Sequence, residues 1–92
     1  MIYQIEIEQT DMPENVKNAA AKIIEQAVSN PKNQNVERNI ALEIREKMNL
    51  DFKPQWQCIV GKKYGTSITH EKESLMYATT NDYGILLFKG GL

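Results

Sequence analysis

Gln55-Trp56-Gln57-Cys58-Ile59-Val60, Tyr64-Gly65-Thr66-Ser67-Ile68-Thr69, Ser74-Leu75-Met76-Tyr77-Ala78-Thr79 and Gly84-Ile85-Leu86-Leu87-Phe88-Lys89 follow one another in the last third of the chain. Each run is short and mixes β-branched, aromatic and aliphatic residues, which is the signature of short strands. Gly61-Lys62-Lys63 joins the first two, and Asn81-Asp82 suits a tight hairpin turn before the last. The second run is the polar one. It is flanked by Lys62-Lys63 and His70-Glu71 and carries an internal glycine, so it does not fit the middle of a sheet buried on both faces. Its amides and carbonyls still need partners. Two readings remain open. The run is an ordinary edge strand kept polar against aggregation, or it pairs with another copy of the chain or an extended peptide.

Upstream, Ile2, Tyr3, Ile5 and Ile7 indicate a short first strand. Asp11 and Glu14 have capping-box spacing, with Pro13 placed for a first helical turn. Val16, Ala19, Ala20, Ile23, Ile24, Ala27 and Val28 recur at steps of three and four, one apolar stripe on a helix of about four turns. Asn30-Pro31 ends it, and Asn30 to Asn35 reads as a polar loop. Asn35 is placed to cap a second helix whose buried side is Ile40, Ala41, Ile44 and Met48. Pro54 forces an extended exit. The order is β-α-α-β-β-β-β, an α+β domain with two helices packed on an antiparallel sheet. The helices are expected to cover the faces of the sheet, with Trp56, Leu86 and Phe88 in the core.

The 92 residues make one domain, residues 1–92. A domain this small has limited surface to bury, and dimerisation would add to it. Eleven basic and twelve acidic residues nearly cancel, so no attraction to nucleic acid or anionic membrane is expected. The single cysteine, Cys58, excludes an internal disulfide and fits a reducing compartment. No basic stretch followed by an apolar one opens the chain, so no signal peptide is expected, and no apolar run approaches the roughly 18 residues of a membrane span.

Catalytic chemistry finds little footing. His70 is the only histidine. A metal site needs three or four convergent ligands, which a lone histidine beside Glu71 does not supply. A Cys58–His70 pair lacks a visible oxyanion donor or orienting third group. Gly61-Lys62-Lys63-Tyr64-Gly65 lacks the order of a phosphate loop and opens no helix. No cofactor and no metal are expected, and no enzyme. What remains is recognition through the backbone, with Tyr64, Thr66, Ile68 and His70 on one side of an extended strand and Gly65, Ser67 and Thr69 on the other.

Trp56-x-Cys58-Ile59-Val60-Gly61, Tyr64-Gly65, Thr69-His70-Glu71 and Ile85-Leu86-Leu87-Phe88-Lys89 resemble, in this order and spacing, the eight-kilodalton dynein light chain family. Asp11-Met12 and Val36-Glu37-x-x-Ile40-Ala41 add weaker matches, so the likeness runs over essentially the whole chain. The resemblance implies a homodimer in which the strand Tyr64 to Thr69 crosses to the partner's sheet, with Gln57, Ile59, Tyr64, Thr66 and Ser67 at the dimer interface. It implies two symmetric grooves in which disordered client segments, often with a Thr-Gln-Thr core, bind by strand addition. The matching positions are Gln9, Glu37, Arg38, Tyr64, Gly65, Thr66, Ser67, Ile68, Thr69, His70, Leu75, Tyr77 and Gly84. The implied role is a non-catalytic adaptor subunit of dynein motor complexes. Its partners would be the dynein intermediate chain and other Thr-Gln-Thr proteins, in the cytoplasm on the microtubule cytoskeleton or in a cilium or axoneme. The alternative is a motor-independent dimerisation hub or regulatory inhibitor subunit.

The chain departs from the family pattern at several positions. Gly90 stands where relatives often carry a phosphorylatable serine. Ser67, Leu75 and Thr79 replace larger aromatics, and the loop Asn30 to Asn35 is longer, which together imply a specialised member with shifted client preference. Gln57 stands where the family often has a histidine at the dimer seam. A histidine there would charge near pH 6 and repel its symmetry mate, whereas glutamine does not titrate. Sedimentation between about pH 5 and 7 is expected to give one unchanged mass; a lighter species emerging at the acid end would contradict this.

Overall fold

Which side of the sheet each of these residues occupies follows from strand register. The structure is a computed structural model that describes residues 5–33, 36–52, 55–61, 75–80 and 83–90. Strand β1 (Glu6–Thr10) is followed by helix α1 (Glu14–Ser29), a short 3-10 turn (Pro31–Asn33) and helix α2 (Glu37–Asp51). Strands β2 (Trp56–Gly61), β3 (Met76–Thr79) and β4 (Gly84–Lys89) complete the order. The described strands form one antiparallel sheet in the order β1-β3-β4-β2. The expected strand from Tyr64 to Thr69 and the Asn81-Asp82 turn lie outside the described residues.

Directly paired residues of an antiparallel ladder share a face. Leu87 pairs with Cys58 and Met76, and Ile85 with Val60 and Ala78, so these six point one way. Leu86 pairs with Ile59 and Tyr77, and Phe88 with Gln57, so these five point the other way. The core takes Trp56, Met76, Ala78, Ile85 and Leu87 from the first face only. Against them pack Ala20, Ile23, Ile24, Ala27 and Val28 of α1 and Ile40, Ile44 and Met48 of α2. Both helices therefore lie on one side of the sheet, instead of covering both faces. Of the three residues expected in the core, Trp56 is there. Leu86 is buried but points away from the helices, and Phe88 is half-buried on that same side.

The apolar stripe of α1 is as the spacing predicts, but its start is not a capping box. Pro13 occupies the cap position with extended backbone, and no side chain caps the helix. The Asp11 carboxylate is committed elsewhere. Its Oδ1 accepts from the Leu75 N–H at 2.8 Å, while the Asp11 N–H donates to the Leu75 carbonyl at 3.2 Å. The Thr10 hydroxyl donates to the same carbonyl at 2.7 Å and accepts from the Met12 N–H at 3.1 Å. The end of β1 is thereby fastened to the residue that precedes β3. At the head of α2 the cap position is Val36; Asn35 lies outside the described residues.

The polar loop after α1 is organised by one carboxylate. Glu43 Oε1 accepts from Asn30 Nδ2 and from Asn33 Nδ2, each at 2.9 Å. Asn33 is buried and its Nδ2 also donates to the Ala27 carbonyl at 3.1 Å. Glu43 thus ties α2 to the end of α1 and is not merely a solvated side chain. At the other end of α2, Phe52 meets Trp56 edge to face with ring centroids 6.4 Å apart, and the Trp56 N–H donates to Asn49 Oδ1 at 2.9 Å. Gln55 between them has φ 89°, in the left-handed region that non-glycine residues seldom occupy. Its carbonyl accepts from the Gly90 N–H at 3.1 Å, which holds the bend in place.

Two pairs of substitutions check this packing by urea denaturation. Leu87→Ala should destabilise by about 2–5 kcal/mol, as for other fully buried leucines, whereas Leu50→Ser, at a side chain 83% exposed, should stay within about 0.5 kcal/mol. Glu43→Ala should cost about 1–3 kcal/mol because it takes a partner from the buried Asn33 amide. Glu43→Gln retains an acceptor and should cost less; equal losses for the two would remove the clasp as the explanation.

Candidate functional site

Along α2, the residues beside the buried stripe of Ile40, Ile44 and Met48 form a second line at helical spacing. Arg38, Ala41, Leu42 and Arg45 border a cleft of about 310 Å³ whose far wall is Cys58 of β2. Further along the same seam, Arg45, Glu46, Asn49, Leu50, Gln55, Trp56 and Gln57 line an adjoining hollow of about 440 Å³. Arg45 borders both, so the two are neighbours on one α2–β2 seam. Asn49 and Trp56, already joined by a hydrogen bond, fix the distance between helix and strand at that end.

Among the described residues the cleft is cationic at its rim and neutral at its floor. Arg38 and Arg45 are exposed, and neither has a hydrogen bond or ion pair among the described residues. Leu42 between them is 41% exposed. Burial pushes the Cys58 thiol up to about 12, against a smaller opposing pull from Arg45. A thiol in that state stays protonated at neutral pH and is a poor nucleophile. His70, the partner that the discounted catalytic pair would need, lies outside the described residues. Among the described residues no group of three or more His, Cys, Asp or Glu side chains is arranged to hold a metal ion.

The positions singled out in the sequence fall into two groups. Glu37 and Arg38 are exposed in the first turn of α2, next to the cleft. Gln9 and Tyr77 are paired across the β1–β3 ladder and share the face turned away from the helices. Leu75, hydrogen bonded to Asp11, precedes β3 beside them, and Gly84 begins β4 opposite Thr79 and Gly61. β1 and β2 stand at opposite ends of the described order, three strand spacings or about 14 Å apart. Among the described residues, Gln9 and Tyr77 therefore stand apart from Glu37 and Arg38. Gln57 and Ile59 both project from β2 on the face away from the helices, and both are exposed. Tyr64, Gly65, Thr66, Ser67, Ile68, Thr69 and His70 lie outside the described residues.

Sequence reading stopped at the helix start and missed Leu42 and Arg45. The signal was present, since 38, 41, 42 and 45 fall on one side of a helix. It was hidden because an arginine on a polar face is the commonest kind of solvated residue, and only β2 turns that side into a cleft.

Comparison with known proteins agrees with this architecture. The family model described as dynein light chain type 1 matches residues 4–90. A dynein light chain of Schistosoma mansoni is 33% identical over 85 residues, spanning 92% of each chain. Among solved structures, the dynein light chain-like domain of the Fasciola hepatica calcium binding protein FhCaBP2 superposes with a TM-score of 0.82 at 16% identity, covering 97% of this chain and 93% of that one. The mercury derivative of that domain gives a TM-score of 0.80 at 17% identity, with 96% and 93% covered. With the fold matched throughout and the family pattern running from residue 4 to residue 90, the chain belongs to the dynein light chain family.

Proposed function

We propose that the chain is a non-catalytic, dimeric adaptor subunit of dynein motor complexes that binds disordered client segments by adding them as strands in two symmetric grooves. The division of the site supports this reading. Glu37 and Arg38 stand by β2, while Gln9, Leu75 and Tyr77 stand by β1 and β3, so each chain holds parts of two grooves and completes neither. A two-fold axis joins such halves without new chemistry. The face opposite the helices supplies a surface for it, with Ile59 46% exposed beside Leu86 and Phe88.

In this reading the strand Tyr64 to Thr69 crosses to the partner and forms the inner wall on which the client strand pairs, with Gly65, Thr66, Ser67, Ile68 and His70 along it. The client's main chain provides most of the affinity, and side chains at alternate positions provide selection. Glu37 and Arg38 hold a polar client side chain such as the glutamine of Thr-Gln-Thr. Two clients held side by side gain effective concentration for each other, and that bivalence is the function. The dynein intermediate chain is the expected client, on cytoplasmic or axonemal microtubules.

Calorimetric titration of a Thr-Gln-Thr peptide, with the mass of the protein measured in the same buffer, tests the reading. One peptide per chain on a particle of twice the chain mass is expected; a single-chain particle, or no heat at all, would overturn it. Cys58→Ser should leave the affinity within about twofold, because a protonated buried thiol contributes as a small apolar group. Substituting both Tyr64 and Thr69 should abolish binding.

A further inference from the structure

We propose that the α2–β2 cleft selects clients that are acidic, gripping two carboxylates of an extended segment with Arg38 and Arg45 on either side of an apolar side chain seated on Leu42. The inference rests on the strand-adding adaptor reading and specifies the chemistry of the client; Arg38, with five N–H donors, meets a flanking carboxylate as well as the core glutamine.

Three features carry it. First, both guanidinium groups border the same cleft and neither is engaged by another described residue. No carboxylate of α2 stands three or four residues from either arginine; Glu43 is held by Asn30 and Asn33, and Glu46 borders the adjoining hollow rather than this cleft. Second, the chain as a whole is nearly neutral, at a net charge of −1, so the positive rim is local and not part of a general basic surface. An arginine fork recognises carboxylates in two-point geometry, which a diffuse lysine patch does not. Third, the described residues between the arginines, Ala41, Leu42 and Cys58, carry no charge.

The spacing restricts the ligand further. Positions 38 and 45 are two helical turns apart and stand almost in line, about 10.5 Å apart along the axis. Residues on one side of an extended strand recur about every 6.6 Å, so carboxylates four residues apart span about 13 Å. That span lies within reach of two long arginine side chains, and the residue midway between the carboxylates faces Leu42. The preferred segment is Asp/Glu-x-apolar-x-Asp/Glu, lying along α2.

The probes are peptides with one Thr-Gln-Thr core and a flank of either Glu-Ser-Leu-Ser-Glu or Gln-Ser-Leu-Ser-Gln, made with the flank on each side of the core. For one of the two placements, the acidic peptide should bind about fivefold or more tightly than its glutamine counterpart in dilute buffer. The ratio should fall towards one near 0.5 M salt, where exposed charge pairs are screened within about 4 Å. In Arg38→Gln/Arg45→Gln protein both peptides should bind more weakly, because Arg38 also meets the core glutamine, and the ratio should be about one at any salt. Arg38→Glu/Arg45→Glu protein should instead prefer a Lys-Ser-Leu-Ser-Lys flank. Equal binding of acidic and neutral peptides to the native chain would overturn the inference and leave the adaptor reading standing. Binding of neither would overturn both. If the arginine substitutions change the mass of the particle but not the ratio, a second copy covers the cleft and the inference falls.

Discussion

Successive side chains of a strand must point to opposite sides of the sheet, and in β4 that constraint separates Leu86 from Leu87. Leu87 meets Cys58 and Met76 on the side where both helices sit; Leu86 meets Ile59 and Tyr77 on the side where neither does. One strand thus serves two surfaces. The first is a closed core of apolar side chains from five of the described elements. The second is a mixed face on which Gln57 and Ile59 remain exposed. A dynein light chain built this way has one face for folding and another open to the proposed association, and a change of register by one residue would exchange them.

A few polar ties position what surrounds that sheet. Glu43 gathers Asn30 and Asn33 and so sets how α2 lies against the end of α1. Asp11 and Thr10 together hold Leu75 at the entrance to β3. Asn49 and Phe52 secure Trp56, which fixes the seam between α2 and β2. Each tie stands next to a part of the proposed site: Glu43 beside the cleft helix, Leu75 at the groove floor, Trp56 at the end of the seam. Buried or half-buried hydrogen bonds of this kind add modest stability, but losing one partner strands the other, so they define position more than they add energy.

Much of the fold was legible in the sequence because amphipathic periodicity is a local property. The stripe from Ala20 to Val28 and the stripe of Ile40, Ile44 and Met48 became the two helix faces of the core. The strands beginning at Trp56, Met76 and Gly84 fall within the runs that alternation and turn residues marked. Asp11 shows the limit. Its spacing to Glu14 matched a helix cap, yet its carboxylate is taken by an N–H 64 positions away. A local pattern cannot register a competitor so distant along the chain. The site was legible as residue types, not as a place. Glu37 and Arg38 could be named, but Leu42 and Arg45 could not be told from ordinary exposed helix positions.

The sequence by itself determined the described helices and strands, their order and the family, because hydrophobic period, turn residues and a spaced motif are all written along the chain. Only the tertiary structure decided that both helices share one side of the sheet, that Leu86 and Leu87 serve different surfaces, and that α2 borders a cleft against β2. Those outcomes depend on strand register and on which element reaches a given surface first. Both are settled by contacts between residues far apart in the chain, and no local pattern encodes them.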